Sequence, residues 1–79
     1  MRIDKFLKVS RLIKRRTIAA EACDAKRVKL NGSVVKPSAK VKEGDVIEIT
    51  FGDRVVKVMV TAIKETTKKD EAAELYKIL

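Results

Sequence analysis

The sequence contains no histidine and no tryptophan, a single cysteine, a single proline, and only three aromatic side chains, Phe6, Phe51 and Tyr76. Each shortage closes off a class of chemistry. Without histidine there is no Cys-His pair and no imidazole metal site, and one thiol, Cys23, can build neither a zinc-thiolate cluster nor an internal disulfide. The glycines Gly32, Gly44 and Gly52 are scattered, so neither glycine-rich phosphate cradle is present. Glu43 and Asp45 read as turn residues and not as a catalytic carboxylate pair. No catalytic residue, metal or cofactor is expected. Long apolar runs are missing as well: none approaches the roughly 18 residues of a membrane span, and no charged-then-apolar leader opens the chain. A reducing, cytoplasmic setting is the expectation.

What the chain has instead is positive charge, +8 over 79 residues. It is unevenly placed. Residues 1–42 hold thirteen Lys/Arg against three Asp/Glu, and residues 43–79 hold six against eight. A polyanion is the leading class of partner, and its contact surface belongs to the first half. Seven of the first sixteen residues are basic, namely Arg2, Lys5, Lys8, Arg11, Lys14, Arg15 and Arg16. They alternate with apolar residues on a helical beat. On a wheel of about 100° per residue, Ile3, Phe6, Leu7, Val9 and Ile13 share one arc, while Lys5, Lys8 and Arg11 take the other. Such a helix buries one face and offers cations on the other. Asp4 stands four residues before Lys8, where it can support the helix as an i,i+4 pair, or act as a cap or as a partner orienting an arginine. The three aromatics fall at positions expected to face the core. Recognition should then rest on phosphates, 2′-hydroxyls and RNA shape, with little stacking on bases.

The length fits one domain, residues 1–79, burying only about 60% of the surface its unfolded chain exposes. A first helix is predicted over Ile3 to Ile13, and a second over Ile18 to about Ala25 with Thr17 as its N-cap. Alanines make that second helix narrow, and Cys23 reads as a small buried hydrophobe. Asn31-Gly32 between apolar residues signals a hairpin with a type I′ turn, which Pro37 then ends or confines to an edge. A strand from Val46 to Phe51, a tight turn at Gly52-Asp53 and a β-branched run from Arg54 to Ile63 complete a small, mostly antiparallel sheet. Ala72, Leu75, Tyr76 and Leu79 return to helical spacing, with Thr67 and Asp70 placed as a cap. The fold class is α+β, two helices packed on a sheet with a short C-terminal helix.

Arg2-Ile3-Asp4-Lys5-Phe6-Leu7, Arg11, Arg15-Arg16-Thr17, Ala20, Val28-Lys29-Leu30-Asn31-Gly32, Lys36-Pro37 and Val41-Lys42-Glu43-Gly44-Asp45-Val46-Ile47 form a series. It resembles the RNA-binding domain named after ribosomal protein S-four, the alpha-L motif. Lys8 to Thr17, Phe51-Gly52, and Thr66 to Ala73 with Tyr76 extend the likeness over nearly the whole chain. That extended match is similar to a family of short, stand-alone bacterial ribosome quality-control proteins related to the fifteen-kilodalton heat-shock protein. The basic tail and tryptophan of the longer heat-shock relative have no counterpart here. The resemblance implies that the helix faces and adjoining hairpin form the RNA surface, here Arg2, Lys5, Lys8, Arg11, Lys14, Arg15, Arg16, Thr17, Arg27, Lys29, Asn31 and Lys36. It implies as partners the large ribosomal subunit, its rRNA and peptidyl-tRNA, and an alanyl-tRNA-recruiting tailing factor. The protein would hold the tRNA in place, as a monomer and without catalysis. Lys26 departs from the pattern, because the family usually has glycine at the end of the second helix, where positive φ is needed.

Three alternatives stay open. A heat-shock-type role in recycling large subunits that carry nascent chains fits the same likeness. A module whose basic face docks an acidic protein fits the charge alone. Two consecutive helices also invite a helix-turn-helix, double-stranded DNA reading, which the following hairpins disfavour.

Overall fold

Ile3, Phe6 and Leu7 wind into α1 (Ile3–Val9) and are fully buried. The computed structural model describes residues 1–65, 68 and 70–79, so the expected cap at Thr67 lies outside the described residues. After α1 come α2 (Arg16–Asp24), β1 (Val28–Leu30), β2 (Ser33–Val34), β3 (Val46–Phe51), β4 (Arg54–Val60), a 3₁₀ turn (Ala72–Leu75) and β5 (Tyr76–Ile78). The five strands form one antiparallel sheet in the order β2-β1-β3-β4-β5.

α1 ends four residues earlier than the apolar pattern alone suggests. The Ser10 hydroxyl donates to the Leu7 carbonyl at 3.2 Å, and Arg11 turns left-handed with φ 61° while its amide donates to the Lys8 carbonyl. Ile13 is nonetheless buried, delivered to the core by the loop instead of by the helix. α2 starts before the expected position. Extended Arg15 is its N-cap and no side chain caps it, so Thr17 sits exposed inside the first turn and its expected capping role is not observed. The reason is tertiary: Arg16, the first helical residue, is tethered to Asp4 on α1. At the other end, the amides of Lys26 and Arg27 donate to the carbonyls of Cys23 and Ala22. This is a Schellman ending with Lys26 at the left-handed position, φ 61°. The lysine adopts the geometry glycine favours, at a cost of about 1–2 kcal/mol.

The hairpin forms as its sequence dictates, with φ of 51° at Asn31 and 87° at Gly32, the type I′ combination. Asn31 does more than turn. Its side chain accepts from the Val46 amide at 2.9 Å and donates to Asp45 at 3.2 Å, tying the turn to the start of β3. Alternation then sends Val28, Ile47, Ile49, Val58 and Val60 inward, all essentially buried, against Phe6, Leu7, Ala19 and Cys23.

The expected C-terminal helix contracts to the 3₁₀ turn, and Tyr76–Ile78 becomes the fifth strand, pairing with β4 through Val58↔Ile78 and Val60↔Tyr76. Helical spacing lost to the open edge of β4. The Thr61 amide and hydroxyl donate to the carbonyls of Leu75 and Glu74, and the Leu79 amide to that of Lys57, satisfying backbone groups an exposed edge would leave to water. Leu75 fills the core from this segment.

Candidate nucleic-acid interface

Asp4 is the pivot of the basic face. It occupies the second position of α1 and its side chain is only 5% exposed. One carboxylate oxygen accepts from Arg2 at 3.2 Å, and the other accepts from the Lys5 amide at 2.8 Å and from Arg16 at 3.4 Å. Of the readings open for Asp4, orienting arginine is the one realised, and the pair with Lys8 gives way to it. A buried carboxylate is tolerable only when paired and hydrogen-bonded, so both guanidinium groups are drawn to it. About half of each arginine side chain remains exposed. Two arginines far apart in sequence are thus held on one patch with free N–H donors facing water.

The patch is latched from below. The amides of Ile3 and Asp4, which α1 cannot satisfy, donate to the carbonyls of Ala39 and Pro37, and Arg2 bridges Lys40. The hairpin pairing already stops at Val34, three residues before Pro37, whose carbonyl instead helps to anchor the N-terminus.

The remaining predicted cations do not all share this surface. Lys8, Arg11, Lys14 and Arg15 are exposed along α1 and the α1–α2 loop. Arg11 stands on the left-handed residue described above, an energetically unfavourable placement for a side chain with a Cβ. Lys5 is half-buried and paired with Glu65, an ion pair the sequence gave no sign of because the partners are 60 residues apart. That contact lowers the Glu65 carboxyl below its usual value, through the hydrogen bond and the charge of Lys5. Lys29 lies on the outer face of the sheet, between Val34 and Glu48 on neighbouring strands and away from the helices. Lys36 lines a second, smaller recess with Lys26. Asn31 is exposed, but its amide serves the hairpin.

Cys23 is buried as expected. Burial first, then the carboxylates of Asp4 and Asp24, push its thiol up to about 11, which keeps it protonated and unreactive near neutrality. Among the described residues no group of carboxylates and thiols has metal-site geometry, and no helix is long and apolar enough to cross a membrane.

One expectation is corrected. Phe51 is not buried in the core; it is 43% exposed. Strand alternation puts it on the same side as Ile47 and Ile49, but α1 and α2 are only about 10 and 14 Å long and do not roof the far end of the β3–β4 hairpin. Ile18, at 47%, is exposed nearby. A helical wheel holds the signal for Ile18, about 100° from Ala19 and 140° from Cys23. Together they flank an open cleft of about 510 Å³.

This architecture has known counterparts. The S4 domain family matches residues 1–47. The RQC P-site tRNA stabilizing factor of Bacillus subtilis is 56% identical over all of this chain and 92% of its own length, and that of Halalkalibacterium halodurans 55% identical over 99% and 89%. The chain belongs to the S4-domain family, among the RQC P-site tRNA stabilizing factors. The Helicobacter pylori factor, at 41% identity over 89% of this chain and 87% of its own, extends the group to greater divergence. In three dimensions the S4 fold here superposes on Heat Shock Protein 15 of Vibrio cholerae, a trimer in its own structure, with a TM-score of 0.93 at 29% identity, covering 100% of this chain and 81% of that one. It also superposes on the solution structure of the hypothetical protein HP1423, with a TM-score of 0.81 at 35% identity over 100% and 96%.

Proposed function

We propose that this chain is a non-catalytic, ribosome-associated RNA-binding factor. It binds large-subunit rRNA and tRNA on obstructed large subunits, and so supports C-terminal alanine tailing of stalled nascent chains by a partner that recruits alanyl-tRNA. The carrying observation is the buried Asp4 that fixes Arg2 and Arg16 at the surface, beside the exposed cations of the α1–α2 loop. Two arginine forks held at a set spacing suit the regularly placed phosphates of folded RNA better than mobile lysines do. Full-length similarity to proteins named as P-site tRNA stabilizing factors supports the tRNA part of the reading.

The test is equilibrium binding to purified large subunits carrying peptidyl-tRNA, followed over a salt series. Neutralising around five phosphates gives a log–log salt slope of about −4. Arg16→Ala weakens association and flattens that slope, whereas Lys57→Ala, on the outer sheet face, changes neither. A salt-independent affinity, or equal affinities for the two variants, sinks the proposed surface. The second reading is recycling of large subunits that carry nascent chains, which the sequence resemblance to the fifteen-kilodalton heat-shock protein implies. Loss of alanine tails in cells lacking the protein separates the two, since recycling leaves tails intact. A protein-docking module predicts association that survives nuclease.

A further inference from the structure

The cleft beside α2 has a use that the arginine patch does not account for. Its walls are Ile13, Ile18 and Ala22 from the helical side and Ile49 and Phe51 from the sheet, and Arg27 stands at its edge. Phe51 and Ile18 are each more than two-fifths exposed, and both line this cleft. At about 510 Å³, the cleft is sized for a small planar ligand, within the roughly 300–1,000 Å³ typical of such sites.

Its surroundings select the ligand. The residues between Ile13 and Ile18 are Lys14, Arg15, Arg16 and Thr17, so one wall is continuous with the densest run of cations in the chain. Arg27 supplies a further cation where its carbonyl accepts from the Thr50 amide at the end of β3. A group with a flat apolar face between anionic ends is a nucleotide within a strand. Glu21, also on the cleft wall, adds an acceptor for a base amino group.

We infer that Phe51 and Ile18 form a stacking subsite for one unpaired nucleobase of the bound RNA, whose flanking phosphates are met by Lys14, Arg15 and Arg27. The inference rests on the RNA-binding reading above and adds to it a base contact beside the phosphate contacts. Every base has a π-face, so the subsite captures a splayed nucleotide without demanding one sequence.

The test uses the full chain and deproteinised large-subunit rRNA. Phe51→Ala weakens binding about five- to 150-fold, the range seen for loss of one base–aromatic stack, and leaves the salt slope unchanged because no phosphate contact is lost. Phe51→Leu, which keeps the apolar packing, shows most of the same loss, and Phe51→Tyr restores wild-type affinity. Since the chain has no tryptophan, Phe51→Trp carries a lone reporter whose fluorescence is quenched by rRNA and not by inorganic polyphosphate of matched charge. Wild-type affinity for both Phe51→Ala and Phe51→Leu, or equal quenching by rRNA and polyphosphate, overturns the subsite while leaving the arginine patch standing. Association with large subunits that resists nuclease and depends on Phe51 also overturns it, in favour of a protein ligand. Absence of rRNA binding by the wild type removes the RNA-binding reading and this subsite together.

Discussion

In residues 1–42, Asp4 is almost wholly buried and its partners Arg2 and Arg16 are half exposed, whereas in residues 43–79 Lys57–Glu48 (3.6 Å) and Lys64–Glu74 (3.8 Å) lie across open surface. The difference lies in what each arrangement holds fixed. An exposed pair gains about 0–1 kcal/mol and positions little. A buried carboxylate fixes the direction of every donor that satisfies it. The first half therefore uses a buried acid to aim cations, whereas the buried acid of the second, Asp45, fixes a turn by accepting from Asn31 and the Lys42 amide. Beneath both lies one core, to which the sheet contributes Ile47, Ile49, Val58 and Val60.

The hardest way to break the molecule is through that core. Ile47→Ala should cost about 2–5 kcal/mol, read as a fall in denaturant midpoint at unchanged slope, with affinity for large subunits retained wherever the variant is folded. Next comes Asp4→Asn, which sharpens the comparison by opposing charge to geometry. It raises net charge, so a purely electrostatic surface would bind RNA more tightly. If aim matters, affinity falls together with about 1–3 kcal/mol of stability, measured by salt-resolved binding and chemical denaturation. Tighter binding by Asp4→Asn would show that the arginines work as loose charges. Lys26→Gly is expected to raise stability by about 0.5–1 kcal/mol by relieving the left-handed backbone, and to lower affinity less than Arg16→Ala does. The smallest effect belongs to Lys57→Ala, within about 0.5 kcal/mol in stability and unchanged in binding.

Local chemistry made part of this legible in the sequence. The Asn31-Gly32 turn needs only two residues of positive φ. The strands Val46 to Phe51 and Arg54 onward follow from β-branched alternation, and the inward set Ile3, Phe6, Leu7 and Val9 follows from helical periodicity. The bounds of α1 and α2 were less legible, because Arg11 and Arg16 take their conformations from the junction between the helices. Tyr76–Ile78 carries a helical pattern yet forms a strand, because a five-stranded sheet offers it backbone partners that an isolated short helix lacks. Phe51 obeys its alternation and is exposed all the same, since how far a roof extends is a property of two other elements.

The sequence by itself determined the concentration of cations in the first half, the absence of histidine chemistry, the α+β class and the hairpin turn, all of which depend on composition or on neighbours a few residues apart. Tertiary structure alone decided that Arg2 and Arg16 share one buried carboxylate, that Lys5 pairs with Glu65, and that Phe51 and Ile18 flank a cleft lined also by Glu21 and Arg27. Those relations join residues 12 to 60 positions apart or depend on where a helix ends, and only chain packing sets such distances.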